Sequence, residues 1–181
     1  QGPHWQPSAL PGDLFLSRNL DPLPRVRFAA SWAVRPRETL LAEIRATDYD
    51  PRVRVLLEAA PPGQAAAQDV GSVDEALPAR ESGPGHWEVD VAADVDGLIV
   101  LSECWDPDGI AFDSDGVSLR VQRADGLFLA VPVTRGAHHV TIRYMPRAVQ
   151  HGALLSLAAG FFCLTAGFVM RRHARPALPA R

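Results

Sequence analysis

Residues 105–116 read WDPDGIAFDSDG and set four aspartates, Asp106, Asp108, Asp113 and Asp115, beside two glycines, Gly109 and Gly116. Three kinds of chemistry use such a pattern: a calcium loop, a pair of carboxylates placed for acid–base work, and tight turns that need positive φ. An EF-hand loop wants oxygen ligands at positions 1, 3 and 5, Gly at 6 and Glu at 12. Counted from Asp106, positions 5 and 12 are Ile110 and Val117; counted from Asp113 they are Val117 and Ala124. Neither frame fits. Asp-Gly recurs at 96–97 and 125–126, outside this stretch, so the stretch is expected to form hairpin turns, with an irregular calcium site or a polar binding edge left open.

The other reactive side chains are sparse. His138 and His139 are adjacent at the start of a strand, so their rings are expected on opposite faces and not on one metal. Trp87, between His86 and Glu88, fits either a sugar-stacking surface or the core of a sandwich, and the core is the expectation. Trp105 lies between Glu103 and Asp106, but alternation along a strand gives these carboxylates no paired geometry. Cys104 reads as a small core residue, and Cys163 lies too far along the chain, in an apolar run, to be its disulfide partner. No zinc spacing, nucleophile motif, phosphate loop or dinucleotide fingerprint is present. No catalytic, cofactor-binding or metal-ligating residue is therefore assigned.

Eighteen basic residues against twenty-one acidic ones, with no basic stripe interleaved with aromatics, argue against a nucleic-acid partner. Sixteen prolines and fourteen glycines favour short elements and many turns. Short strands are expected at Asp13–Ser17, Arg25–Val34 and Arg52–Ala59, with a helix starting near Pro36 that puts Leu40, Leu41 and Ile44 on one face. Residues 60–85 lack apolar periodicity and read as an exposed linker or long loop. From His86 on, six strand-like runs (WEVDVAA, LIVLSECW, IAFDS, VSLRVQ, LFLAVPV and HHVTIRYM) alternate with turn signals. Roughly ten-residue spacing of this kind predicts an antiparallel β-sandwich or jelly-roll-like unit.

The strongest signal is C-terminal. Gly152–Met170, GALLSLAAGFFCLTAGFVM, is uncharged and apolar on every face. At about 1.5 Å per residue it spans roughly 28 Å, close to the hydrocarbon thickness of a bilayer. Arg171, Arg172, His173 and Arg175 follow it, and a basic cluster beyond a span marks the cytoplasmic side. Residues 1–147 are thus expected outside the cytoplasm. The N-terminal QGPHWQPSALPGD has no export signal, so the chain is expected to be the C-terminal piece of a longer polypeptide. The expected organisation is an N-terminal α+β part (1–59), a linker (60–85), an antiparallel β part (86–147), a transmembrane helix (148–172) and a basic tail (173–181).

Four stretches carry a family resemblance: RNLDPLPRVRF (18–28), ETLLAEIRATDYDPRVRVLLE (38–58), GLIVLSECWDPDGIAFDSDG (97–116) and LFLAVPVTRGAHHVTIRYMPRAVQHGALLSL (127–157). Together they resemble the C-terminal extracytoplasmic region and last membrane helix of YfhO-type bacterial membrane proteins, which are related to the GT-C glycosyltransferases. The motif positions are Asn19, Pro24, Arg25, Trp105, Asp115, Gly116, Gly136, His138, Tyr144 and Pro146. The last block is the most specific, because a strand ending Tyr-x-Pro runs straight into a membrane helix. Ile110 stands where the family usually has Trp, and Asp113 and Ser114 replace more apolar residues, so a ligand contact through that Trp does not carry over.

The resemblance implies a β-rich outer domain that assists transfer of sugar from a polyprenyl-phosphate-linked donor to a cell-envelope glycan. Upstream spans of the same polypeptide would be its partners, and any catalytic carboxylates would lie there. It also implies that Gly136 supplies a tight turn, that Tyr144 and Pro146 end the last strand at the bilayer surface, and that Arg25 pairs with an acid. The alternative is a membrane-anchored, non-catalytic carbohydrate-binding or structural ectodomain.

Overall fold

The computed structural model describes residues 5–9, 15–70, 74–113, 115–144 and 146–173. The chain divides into two compact units, Gln1–Arg143 and Tyr144–Arg181. The first begins with a hairpin of β1 (Trp5–Ala9) and β2 (Phe15–Asn19), with Trp5 opposite Asn19. Of the strand expected at 13–17, residues 13 and 14 lie outside the described residues.

The strand expected at 25–34 is two strands, β3 (Val26–Ala29) and β4 (Trp32–Val34). Residues 26–33 are all buried, so no alternation marks the break at Ala30–Ser31. After β4, the Pro36 carbonyl accepts from the N–H groups of Thr39 and Leu40, and α1 (Arg37–Ile44) begins. The helix returns the chain to β5 (Val55–Leu57), which pairs parallel to β4 with Trp32 opposite Val55. A parallel pair needs such a crossover. Leu40 of α1 packs on Ala33 and Leu56, the alternate positions of that pair.

Residues 60–85, expected as an exposed linker, instead contribute β6 (Ala67–Gln68), β7 (Asp74–Ala76) and β8 (Ala79–Gly83). These strands are too short and polar to show a period. Side chains anchor the segment: the Gln68 amide donates to the carbonyls of Ala30 and Asp96, both at 2.8 Å, and Trp32 Nε1 donates to Ala65 O at 3.2 Å.

The rest of this unit comprises β9 (His86–Ala93), β10 (Gly97–Cys104), β11 (Gly109–Phe112), β12 (Ser118–Leu119), β13 (Gln122–Ala124), β14 (Phe128–Val133) and β15 (Gly136–Tyr144). Among the described residues an eight-stranded sheet runs β6-β4-β5-β13-β14-β10-β3-β7, and a five-stranded sheet runs β12-β11-β15-β9-β8. The fold is mainly β, as expected, with antiparallel-rich sheets. The large sheet takes strands from both the N-terminal part and the β part, so these are not separate bodies.

Val26, Phe28, Ile99, Leu101 and Val131 of the large sheet meet Trp87, Val89, Val91, Val140 and Ile142 of the small one in a single core. Burying each large side chain contributes about 1.5–3 kcal/mol. The intervening residues of the large sheet, among them Ala29, Trp32, Leu98, Val100 and Ala130, form a second cluster on its other face. Because both faces are covered, its strands read as continuous apolar runs.

The turn signals mark turns, but only two of the five are the hairpins expected. DSDG joins β11 to β12 and RADG joins β13 to β14, each within one sheet. Asp125 (φ 50) and Gly126 (φ 72) give the second hairpin the paired positive φ of a type I′ turn. DVDG, DPDG and TRG carry the chain from one sheet to the other. VSLRVQ, expected as one strand, splits into β12 and β13 of different sheets. Cys104, expected in the core, is exposed, because the pairing of β10 with β14 shifts register between Leu101 and Cys104 and breaks the alternation.

The second unit is α2 (Arg147–His173). The Pro146 carbonyl accepts from Val149 N at 3.1 Å and starts the helix. Arg147–Arg171 has a mean hydropathy of 2.1, is long and apolar enough to cross a membrane, and buries none of its apolar window, unlike the core helix of a soluble protein. Its hydroxyl at Thr165 is satisfied internally by the carbonyls of Phe161 and Phe162 at 3.0 and 2.9 Å.

Candidate binding cleft

The aspartates of the 105–116 stretch serve the backbone. Asp106 Oδ1 accepts from Asp108 N at 2.8 Å, and Asp115 Oδ1 accepts from Val117 N at 3.1 Å. Gly116, at φ 80, closes the second turn by donating to Asp113 O at 2.9 Å. These are Asx-type turns. Among the described residues no three metal-ligating side chains converge.

Asp113 has a further partner. His138 Nδ1 lies 2.6 Å from Asp113 Oδ2, and its Nε2 lies 2.9 Å from Thr134 O, so both ring nitrogens are engaged. His139 faces the other side of β15, opposite Asp90 on β9, with Nδ1 2.6 Å from Asp90 Oδ1. The neighbouring histidines thus form separate pairs.

The remaining motif positions are dispersed. Asn19 Oδ1 accepts from Asp21 N at 3.0 Å at the end of β2. Pro24 precedes Arg25, whose guanidinium pairs with Glu103 and lies 4.8 Å from the centroid of the Trp87 ring. Trp87 itself is 7% exposed and belongs to the core. Trp105 is covered by Arg123 at 4.2 Å, and Arg123 Nη1 pairs with Glu58 Oε1 at 3.1 Å. Gly136 begins β15 at φ 138, and Tyr144 ends it, 53% exposed. Among the described residues, of the motif positions only His138 lines the cleft described below.

One polar cluster escaped sequence reading. Arg27 and Asp125, only 3% and 6% exposed, approach to 3.7 Å between Nη2 and Oδ2. Asp125 Oδ1 also accepts from the Tyr49 hydroxyl at 2.6 Å and from Leu56 N at 2.8 Å. Burial pushes both the Asp125 carboxyl and the Tyr49 phenol above their ordinary ranges. The signal lay in Arg27 itself, a lone charge inside the apolar run VRFAASWAV.

Among the described residues a cleft of about 820 Å³ opens where β7, at the edge of the large sheet, faces β9 and β15 of the small one. Strand β8 pairs with β9 only as far as Val89, so the stretch of β9 beyond it forms a wall. Phe28, Leu77, Val91 and Val95 supply an apolar lining. Polar groups come from Glu75, Asp90, Asp94, His138 and His139. Every one of the chain's eighteen basic residues is an arginine, and among the described residues no arginine lines the cleft. An apolar lining with a few polar groups, in this size range, suits a small ligand.

No family model, curated protein or solved structure matches this chain.

Proposed function

We propose that this chain is the outward-facing domain and last membrane helix of a YfhO-type protein, and that it helps position substrate while sugar passes from a polyprenyl-phosphate-linked donor to an envelope glycan. The observation that carries the reading is a β-sandwich whose last strand, β15, is followed within three residues by a helix apolar enough to cross a bilayer. The arginines at 171, 172 and 175 favour a cytoplasmic C-terminus, with the sandwich outside. Upstream spans of the same polypeptide would hold the donor and the catalytic groups.

A flat sugar-stacking platform finds less support. Trp87 is a core residue, and the outward side of β9 and β15 presents the pairs His86–Arg143, Glu88–Thr141 and Asp90–His139 in place of aromatic rings.

Cys104 provides the test, because it is exposed on the sandwich while Cys163 lies in α2. A membrane-impermeant maleimide added to intact cells should label the wild-type chain and not Cys104→Ser. Labelling only after permeabilisation would place the sandwich inside and remove the reading. Deleting the gene should then lower the sugar content of an envelope polymer.

A further inference from the structure

We infer that the cleft between β7 and β9 binds an amine-bearing saccharide, the acceptor side of the proposed transfer, and excludes the phosphate-bearing donor. The inference rests on the proposed reading for its ligand class and on the cleft for its charge preference. Glu75 and Asp94 line the cleft and Asp90 stands at its rim, with no arginine among its described lining residues. Asp90 is shared with His139, but the Glu75 and Asp94 carboxylates have no ion-pair partner among the described residues.

Two unneutralised carboxylates beside an apolar wall raise the cost of bringing in a phosphate and lower that of bringing in an ammonium group. A sugar ring suits the same space, since its C–H face can lie on the half-buried Leu77 and Val95 while its hydroxyls donate to the carboxylates. Charge complementarity therefore selects a cationic sugar over a neutral one, and a neutral one over an anionic one.

The full chain, reconstituted in nanodiscs of uncharged phosphatidylcholine, should be titrated with three probes: deacetylated chitotriose, its N-acetylated form and tri-lysine. The deacetylated sugar should bind at least about tenfold more tightly than the acetylated one, the equivalent of one charge-assisted contact. In the double variant Glu75→Gln/Asp94→Asn that preference should fall to about twofold or less. Both residues are in the wall of the cleft and outside the core, and an unchanged melting profile will show that the variant is folded.

Three results would overturn the inference: no binding of either sugar, a preference that survives the double variant, or tri-lysine binding as tightly as the amino sugar. The last would mark the cleft as a site for basic peptides. Thiol labelling of Cys104 keeps the failures apart. An outward Cys104 with no amino-sugar binding sinks this inference alone, whereas an inward Cys104 sinks the proposed function beneath it.

Discussion

Asp125 occupies the tip of the β13–β14 hairpin at φ 50 and links that hairpin to three other segments. Its Oδ1 satisfies the buried Leu56 N–H and the Tyr49 hydroxyl, and its Oδ2 lies 3.7 Å from the Arg27 guanidinium. In Asp125→Ala the guanidinium loses this carboxylate but keeps its other interaction, in a site only a few per cent exposed, so the cost falls at the low end of the about 3–5 kcal/mol for breaking a buried pair. Alanine in the left-handed region adds about 1 kcal/mol. The two orphaned donors overlap with the first loss, so the total is expected near 4 kcal/mol. Urea denaturation of the full chain in non-ionic detergent, followed by tryptophan fluorescence, would measure it. The paired variant Arg27→Met/Asp125→Asn removes both charges, keeps an acceptor for Leu56 and Tyr49, and should lie within about 1 kcal/mol of wild type. A loss below about 1 kcal/mol in Asp125→Ala, or a paired variant as unstable as the alanine, would refute the reasoning.

Further outcomes follow from the same geometry. Because burial raises the Asp125 carboxyl, the folded chain holds that proton more tightly than the unfolded chain. The linked stabilisation is complete below the ordinary value of about 3.9 and is lost as pH rises through the raised one. Wild type should thus lose stability relative to Asp125→Asn as pH rises above about 4, and a flat difference across denaturation curves would contradict this. Gly97→Ala would drive a Cβ into the Phe28 ring and to 3.1 Å from Ala29 O, an overpacking expected to cost about 1–3 kcal/mol in the same denaturation assay. Ala159→Arg, near the middle of α2, should weaken membrane insertion by about 2.5–3.5 kcal/mol and raise the fraction released by carbonate extraction.

Legibility in the sequence followed the strength of local periodicity. Strands β9 and β15, each buried on one face, alternate and were placed nearly to the residue. The break between β3 and β4 was hidden, because burial on both faces erases the alternation that would have marked it. The Asp-Gly signals located turns but not their targets: Gly116 and Gly126 take positive φ in hairpins within one sheet, whereas Gly97 and Gly109, where the chain changes sheet, do not. Strands β6 to β8 are held by Gln68 and by edge pairing, neither of which has a pattern to read. The cleft was invisible for a similar reason: Glu75, Asp94 and His139 come from three distant stretches and share only a place in space.

The order of strands in the small sheet constrains how the protein is made. Strand β15 sits at its centre, between β11 and β9, yet leaves the ribosome after both of them and just ahead of α2. Until it arrives, Trp87, Val89 and Val91 have no neighbour at Val140 and Ile142 to close over them. Maturation of the sandwich is thereby tied to delivery of the segment adjoining the long apolar helix. A nascent chain stalled before residue 136 would expose a half-built sheet, the kind of surface that chaperones bind.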